Sequence, residues 1–290
     1  MTILKIIIIL FHVIQYYYYN NKDVLDINND KLDFHSVLYY ACKSGNLEVC
    51  EWIWTLDKPE DFNIHINNDE LLWSTCYSEH IHICKWLVTL DTLESFDIQN
   101  KNNLDNFNLL HHVCMTGNIN MVKWVLSLDN FDIHINNNCA FNRACYSGNL
   151  ELCKFLLTLD TLDSFDIHSN NEYVLTNACY SGNLELCEWV LTLDKRENFN
   201  IHVDDNYILE CAHMSGNSDI CKLVLSFDKL DTFNIQNTNY FDIAFNTNSI
   251  KVSKFVYSHN INNFNICKYD KYIHMYGTFN INYASAIKSR

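Results

Sequence analysis

The sequence predicts a mostly α-helical solenoid of stacked helix–turn–helix units. Three observations predict it. The motif Ser-Gly-Asn-Leu-Glu-[Leu/Val]-Cys recurs at Ser44–Cys50, Ser147–Cys153 and Ser181–Cys187. Five of the six glycines occupy one motif position: Gly45, Gly117, Gly148, Gly182 and Gly216. Glu79 and Asn248 fill it in two further copies, so the intervals are 34, 38, 31, 34, 34 and 32 residues. Finally, the segment after each glycine has helical periodicity: Leu184, Cys187, Val190 and Leu191 share one face, with Glu185 and Glu188 off it. A period near 34 means identical units that bury their apolar faces only against their neighbours.

Within one unit, a first apolar segment of about two turns ends at the Ser-Gly-Asn turn. Glycine suits a left-handed, helix-ending conformation there; asparagine tolerates it and Glu79 does so less well. The second helix follows, then a Leu-Asp and a short polar loop. Next comes a Phe-[Asn/Asp]-Ile-[His/Gln] segment, at Phe62–His65, Phe96–Gln99, Phe131–His134, Phe165–His168, Phe199–His202 and Phe233–Gln236, with Phe264–Cys267 closing the series. Its apolar–polar alternation predicts a short extended, hairpin-like piece. The asparagines that follow, Asn67–Asn68, Asn136–Asn138 and Asn170–Asn171, turn the chain and cap the next first helix. Ser169 and Glu172 have capping-box spacing.

Ala41–Cys50 is similar to the A-A-x-x-G-H-L-E-V-V stretch of the ankyrin repeat, and Asn108–Cys114 resembles its T-P-L-H-x-A-A. The Phe-Asp-Ile-Gln segments stand where that family has A-D-V-N. The resemblance spans roughly residues 25–265. It implies an ankyrin-repeat solenoid of about seven repeats within residues 23–268, at approximately 36–65, 70–99, 107–134, 139–168, 173–202, 207–236 and 240–267. The threonine and proline of T-P-L-H are missing throughout. Most copies are shorter in the hairpin turn and longer after the second helix, so the β-fingers are expected to be blunted. The copy around Gln99–Gly117 keeps a full-length hairpin. The motif combination, with a composition rich in Asn, Ile, Tyr and Lys, also resembles the ankyrin proteins of giant amoeba-infecting DNA viruses. That resemblance implies a host-protein partner.

Net charge is −15, from 20 Lys+Arg against 35 Asp+Glu. This sign argues against direct nucleic-acid binding and favours a basic or amphipathic protein partner. Of thirteen cysteines, ten lie at two repeat positions: Cys42, Cys76, Cys114, Cys145 and Cys179 before the glycine, and Cys50, Cys84, Cys153, Cys187 and Cys221 after it. The family holds small apolar core residues there, and no C-x-x-C occurs, so reduced core thiols and a reducing compartment, the host-cell cytoplasm, are expected. Residues 1–22 begin with the apolar run Ile6–Ile14. A helical cap on the first repeat is the favoured reading; a membrane anchor through residues 1–19 and a cleaved signal are the alternatives. Residues 269–290 are expected to form a C-terminal cap.

The candidate site residues are weighed by repeat position. His65, His134, His168 and His202 form a ladder; successive repeats are too far apart for one ion, so each imidazole is expected to bond loop backbone within its own repeat, as the family's asparagine does. His111, His112 and Cys114 are close in sequence, yet Cys114 occupies a core position, and no catalytic or cofactor motif appears. Trp52, Trp86, Trp124 and Trp189, with Phe155 and Phe255, are expected to form a spine along the second helices. Lys43, Tyr77, Met115, Tyr146, Tyr180 and Met214 occupy the place two before the glycine position. The ankyrin resemblance places that row on the concave face, where aromatic and Met side chains suit a partner. The expected function is therefore non-enzymatic protein–protein interaction, without metal or cofactor. The alternatives are an adaptor that recruits a degradation or signalling machine through a terminal segment, and a membrane-tethered ankyrin protein.

Overall fold

A computed structural model describes residues 34–226, apart from 59, 61, 92–95, 100–106, 160–164 and 196–197. The expectations for residues 1–22, 240–267 and 269–290 lie outside the described residues. Among the described residues the helices form consecutive hairpins. These are α1 (Phe34–Lys43) with α2 (Leu47–Trp54), α3 (Ile66–Tyr77) with α4 (Ile81–Leu87), and α5 (Leu109–Thr116) with α6 (Ile119–Leu126). They continue with α7 (Ile135–Ser147) and α8 (Leu150–Leu157), α9 (Ser169–Ser181) and α10 (Leu184–Val190), and α11 (Val203–Met214) and α12 (Ser218–Leu225). Successive first helices pack on one another along the stack, and each second helix packs on its own first helix.

The Ser-Gly-Asn turn is built from side chains as well as from glycine. Gly117, Gly148 and Gly182 cap the first helices in the left-handed region, with φ of 79°, 76° and 79°. The Ser147 hydroxyl donates to the Ala144 carbonyl at 2.7 Å and accepts from the Asn149 N–H at 3.3 Å. The Asn149 side-chain oxygen then caps α8 by accepting from the Leu152 N–H. Its amide nitrogen reaches back to the previous repeat and donates to the Gly117 carbonyl at 2.7 Å. Asn183 to Gly148 and Asn217 to Gly182 repeat the bond at 2.8 and 3.0 Å. A ladder of asparagine amides thus stitches turn to turn. His80 and His82 replace it at the second turn, on the Lys43 and Gly45 carbonyls.

The core beneath is aliphatic and thiol-rich. The ten cysteines at the two repeat positions are all buried. Cys76 and Cys84 lie 3.2 Å apart at sulfur, Cys145 and Cys153 3.8 Å. Burial pushes the Cys76 and Cys145 thiols well up. The tryptophan row, with Phe155, packs half-buried against this core.

Three local expectations are corrected. The Phe-x-Ile-His segments are not extended strands. In each of four copies the histidine N–H is taken by the side-chain oxygen two residues earlier, of Asn63, Asp132, Asp166 and Asn200. This compact turn still buries Phe131, Phe165 and Phe199 and leaves Phe62 half-buried. The first helices, at 8–13 residues, are not shorter than the second. Their starts are left-handed: Asn136, Asn137 and Asn138 have φ of 56°, 56° and 61°, and Asn67, Asp69, Glu172 and Asp204 share the sign. Asparagine adopts that region most readily, which accounts for the Asn-rich stretches. Finally, Ser169 and Glu172 do not form a capping box. His168 is the N-cap and the Glu172 carboxylate is engaged elsewhere.

Candidate functional site

Two of the repeat histidines, His65 and His168, bond carboxylates, which corrects the expectation of loop backbone at those positions. His65 Nδ1 meets Asp69 at 2.5 Å and its Nε2 meets Asp91 at 3.0 Å. His168 bonds Glu172 and Asp194 in the same way, each at 2.9 Å. The acid four residues on is buried and also receives an N–H from the next repeat: Asp97 onto Asp69, Asn200 onto Glu172. Each ring stands against the following phenylalanine, His65 on Phe96 at 4.6 Å and His168 on Phe199 at 4.9 Å. The clasp therefore joins a first helix, the loop behind its second helix, and the next repeat. Burial lowers both imidazole pKa values, but bonds to Asp91 and Asp69, and to Asp194 and Glu172, outweigh it, so both lie above 6.5. His134 makes a neutral version, with Asn138 at 2.8 Å.

His111 serves its own helix. Its Nδ1 accepts from the Asn108 N–H while its N–H donates to the Asn108 side chain, a reciprocal cap on α5. His112 stands edge-on to Trp73 at 4.9 Å. Cys114 is fully buried and its thiol pKa is pushed up by that burial, the wrong direction for a nucleophile.

A groove of about 890 Å³ lies along the first helices from α5 to α11. It brings together Met115, Tyr146, Tyr180 and Met214 of the predicted row. Lys43 and Tyr77 lie outside it. The Lys43 ammonium sits over the Tyr39 ring at 5.3 Å; Tyr77 is 52% exposed. Tyr146 and Tyr180 stack at 5.0 Å and 14°. Tyr180 is the more enclosed of the two and packs against the core. Sequence reasoning missed Tyr173 and Tyr207, which line the groove and are 47% and 41% exposed. Both stand nine residues before the repeat glycine, so the alignment that found one row contains the other. It also missed Phe107 and Arg143. The Arg143 guanidinium lies over the Phe107 ring at 4.8 Å and donates to the Met115 sulfur at 3.1 Å.

A family model described as "Ankyrin repeats (3 copies)" matches residues 71–171 and 142–239. Among solved structures, the human ASB11 ankyrin repeat domain is similar at 17% identity and a TM-score of 0.47, covering 76% of this chain and 95% of that one. A search of curated proteins gives no match. With the family's repeats matched over more than half of its 290 residues, the chain belongs to the ankyrin-repeat family.

Proposed function

We propose that the protein is a non-enzymatic interaction scaffold that binds a host protein on the concave face formed by its first helices. One observation carries this reading: Tyr146, Tyr173 and Tyr207, each more than 40% exposed, converge with Met115 and Met214 on one groove. Tyrosine supplies large contact area with little side-chain entropy to lose, and such residues dominate binding energy at interfaces. The first helices pack on each other more extensively along the stack than the second helices do, which favours curvature toward this face. Lys43 and Tyr77 extend the surface beyond the groove, toward the N-terminal repeats.

Affinity purification with mass spectrometry from the producing cell tests it. The full chain is compared with a Tyr146→Ser/Tyr173→Ser/Tyr207→Ser variant and with a chain lacking residues 1–20. A partner lost with the tyrosines, and kept without residues 1–20, supports the scaffold. A partner lost only on truncation supports an adaptor that docks through its N-terminal segment. Membrane association lost on truncation supports a tether there.

A further inference from the structure

The groove is less acidic than the molecule as a whole. The chain carries 35 acidic against 20 basic residues, yet the row two before the repeat glycine, from Lys43 to Met214, contains no acid. Nor does the row five before it: Tyr40, Ser74, His112, Arg143, Asn177 and Cys211. Glu48, Glu51, Glu151, Glu185 and Glu188 of the second helices lie outside both rows. Asp204, at the α11 end, is the one acid among the groove's lining residues and has a partner of its own.

Arg143 is the one cation among the described residues that line this groove. Its neighbours are a thioether sulfur and an aromatic ring face, and the Cys139 thiol lies beside it. None of these carries the negative charge that usually neutralises a half-buried guanidinium. Its field is felt locally: after burial, the Arg143 charge is the next cause that lowers both His111, to about 4, and His112. Two polar atoms beneath the floor have no hydrogen-bond partner among the described residues. Asn142 and Thr176 are each 3% exposed, line the groove, and leave the Asn142 Oδ1 and Thr176 Oγ1 without a hydrogen bond. Both stand six before the repeat glycine, on consecutive first helices. Both atoms are out of solvent's reach, so they sit beneath the groove rather than facing a ligand.

We infer that the groove takes a peptide segment that sets one carboxylate on Arg143 and rests an apolar or aromatic side chain on the Tyr146–Tyr180 stack. This rests on the concave-face reading above and names its partner's chemistry. Overall charge had pointed to a basic partner. The two fit together if the acid is a single anchor within an otherwise uncharged or basic segment, drawn in by the long-range field and fixed by the local one.

Random short peptides displayed on phage and panned on the full chain provide the probe, and fluorescence polarisation with an enriched synthetic peptide gives the affinity. Enriched sequences should share one Asp or Glu near an apolar or aromatic residue. Arg143→Gln should weaken binding by about tenfold or more, the range of one charge-assisted bond. Replacing the peptide's acid by its amide should cost the same on the original chain and little more on Arg143→Gln. Arg143→Lys, which keeps the charge, should retain part of the affinity, and circular dichroism of each variant confirms that it is folded. Peptides that need the groove tyrosines but ignore Arg143, or that carry no acid, overturn the anchor and leave the concave surface standing. Peptides indifferent to both, or no enriched peptide, overturn the concave surface itself.

Discussion

Replacing Glu79 by glycine removes a side chain from the one described repeat turn that lacks glycine. Glu79 has φ of 64°, close to the 73–79° of Gly45, Gly117, Gly148, Gly182 and Gly216. A residue with a Cβ is strained there by about 1–2 kcal/mol. Glycine gives back about 0.4–1 kcal/mol through its freer unfolded chain. The carboxylate also accepts from the Asn118 side chain at 2.9 Å, in solvent. That bond is exchanged rather than lost, because the matching asparagines elsewhere donate to the turn carbonyl of the preceding repeat. The net gain is roughly 0.5–1 kcal/mol, seen as a higher urea midpoint and a melting temperature raised by about 1–3 °C. Gly182→Glu runs the comparison in reverse at a site where an added Cβ finds ordinary contact at 3.6 Å, so its loss should be of similar size. A Glu79→Gly chain less stable than its parent would refute the reasoning, and would mean that the carboxylate–Asn118 bond outweighs the strain.

Gly45→Ala should be worse than Gly182→Ala by about 1 kcal/mol, because its Cβ would sit 2.6 Å from the His80 ring and push that ring off the Lys43 carbonyl; equal denaturation midpoints would contradict this. Asn183→Ala removes both a helix cap and a rung of the amide ladder and should cost about 1–2 kcal/mol, read in the same assay. Stability should peak near pH 6.5. His65 and His168 have raised pKa values, so their contribution is full below 6.5 and is lost as pH rises through the folded value. His111 and His213 are lowered to about 4, so theirs is full above 6.5 and is lost as pH falls toward 4. Melting curves across pH check this, and a His65→Gln/His168→Gln chain should lose the alkaline fall while keeping the acid one. The core thiols should react with a thiol reagent only at the rate of unfolding, since they are buried with raised pKa values.

The repeat, its turns and its thiol core were legible because each rests on a residue type repeated at a fixed interval. Glycine at the turn, asparagine after it and cysteine on either side announce their roles by recurrence. The clasp was not legible. Asp91 and Asp194 meet histidines 26 residues earlier, a distance that no local spacing encodes, and the third partner varies among Asp69, Asn138 and Glu172. The run Asn136–Asn138 was read as a turn that caps the next first helix; it does turn the chain, in the left-handed region, but His134 is the N-cap and no side chain caps α7. Half the groove was legible, through the row that includes Tyr146 and Tyr180. Tyr173 and Tyr207 fill their row in only two of the described copies, and Arg143 has no counterpart in its row, so recurrence gave neither away.

Site-specific photo-crosslinking tests the central claim most directly. A photoreactive phenylalanine analogue is placed singly at Tyr146 and Tyr207 in the groove, and at Glu151 and Glu188 on the exposed side of the second helices. Irradiation in the producing cell should join the two groove positions to one and the same protein, and leave the two outer positions without it. A partner captured from Glu151 or Glu188, with none from Tyr146 or Tyr207, would contradict the account.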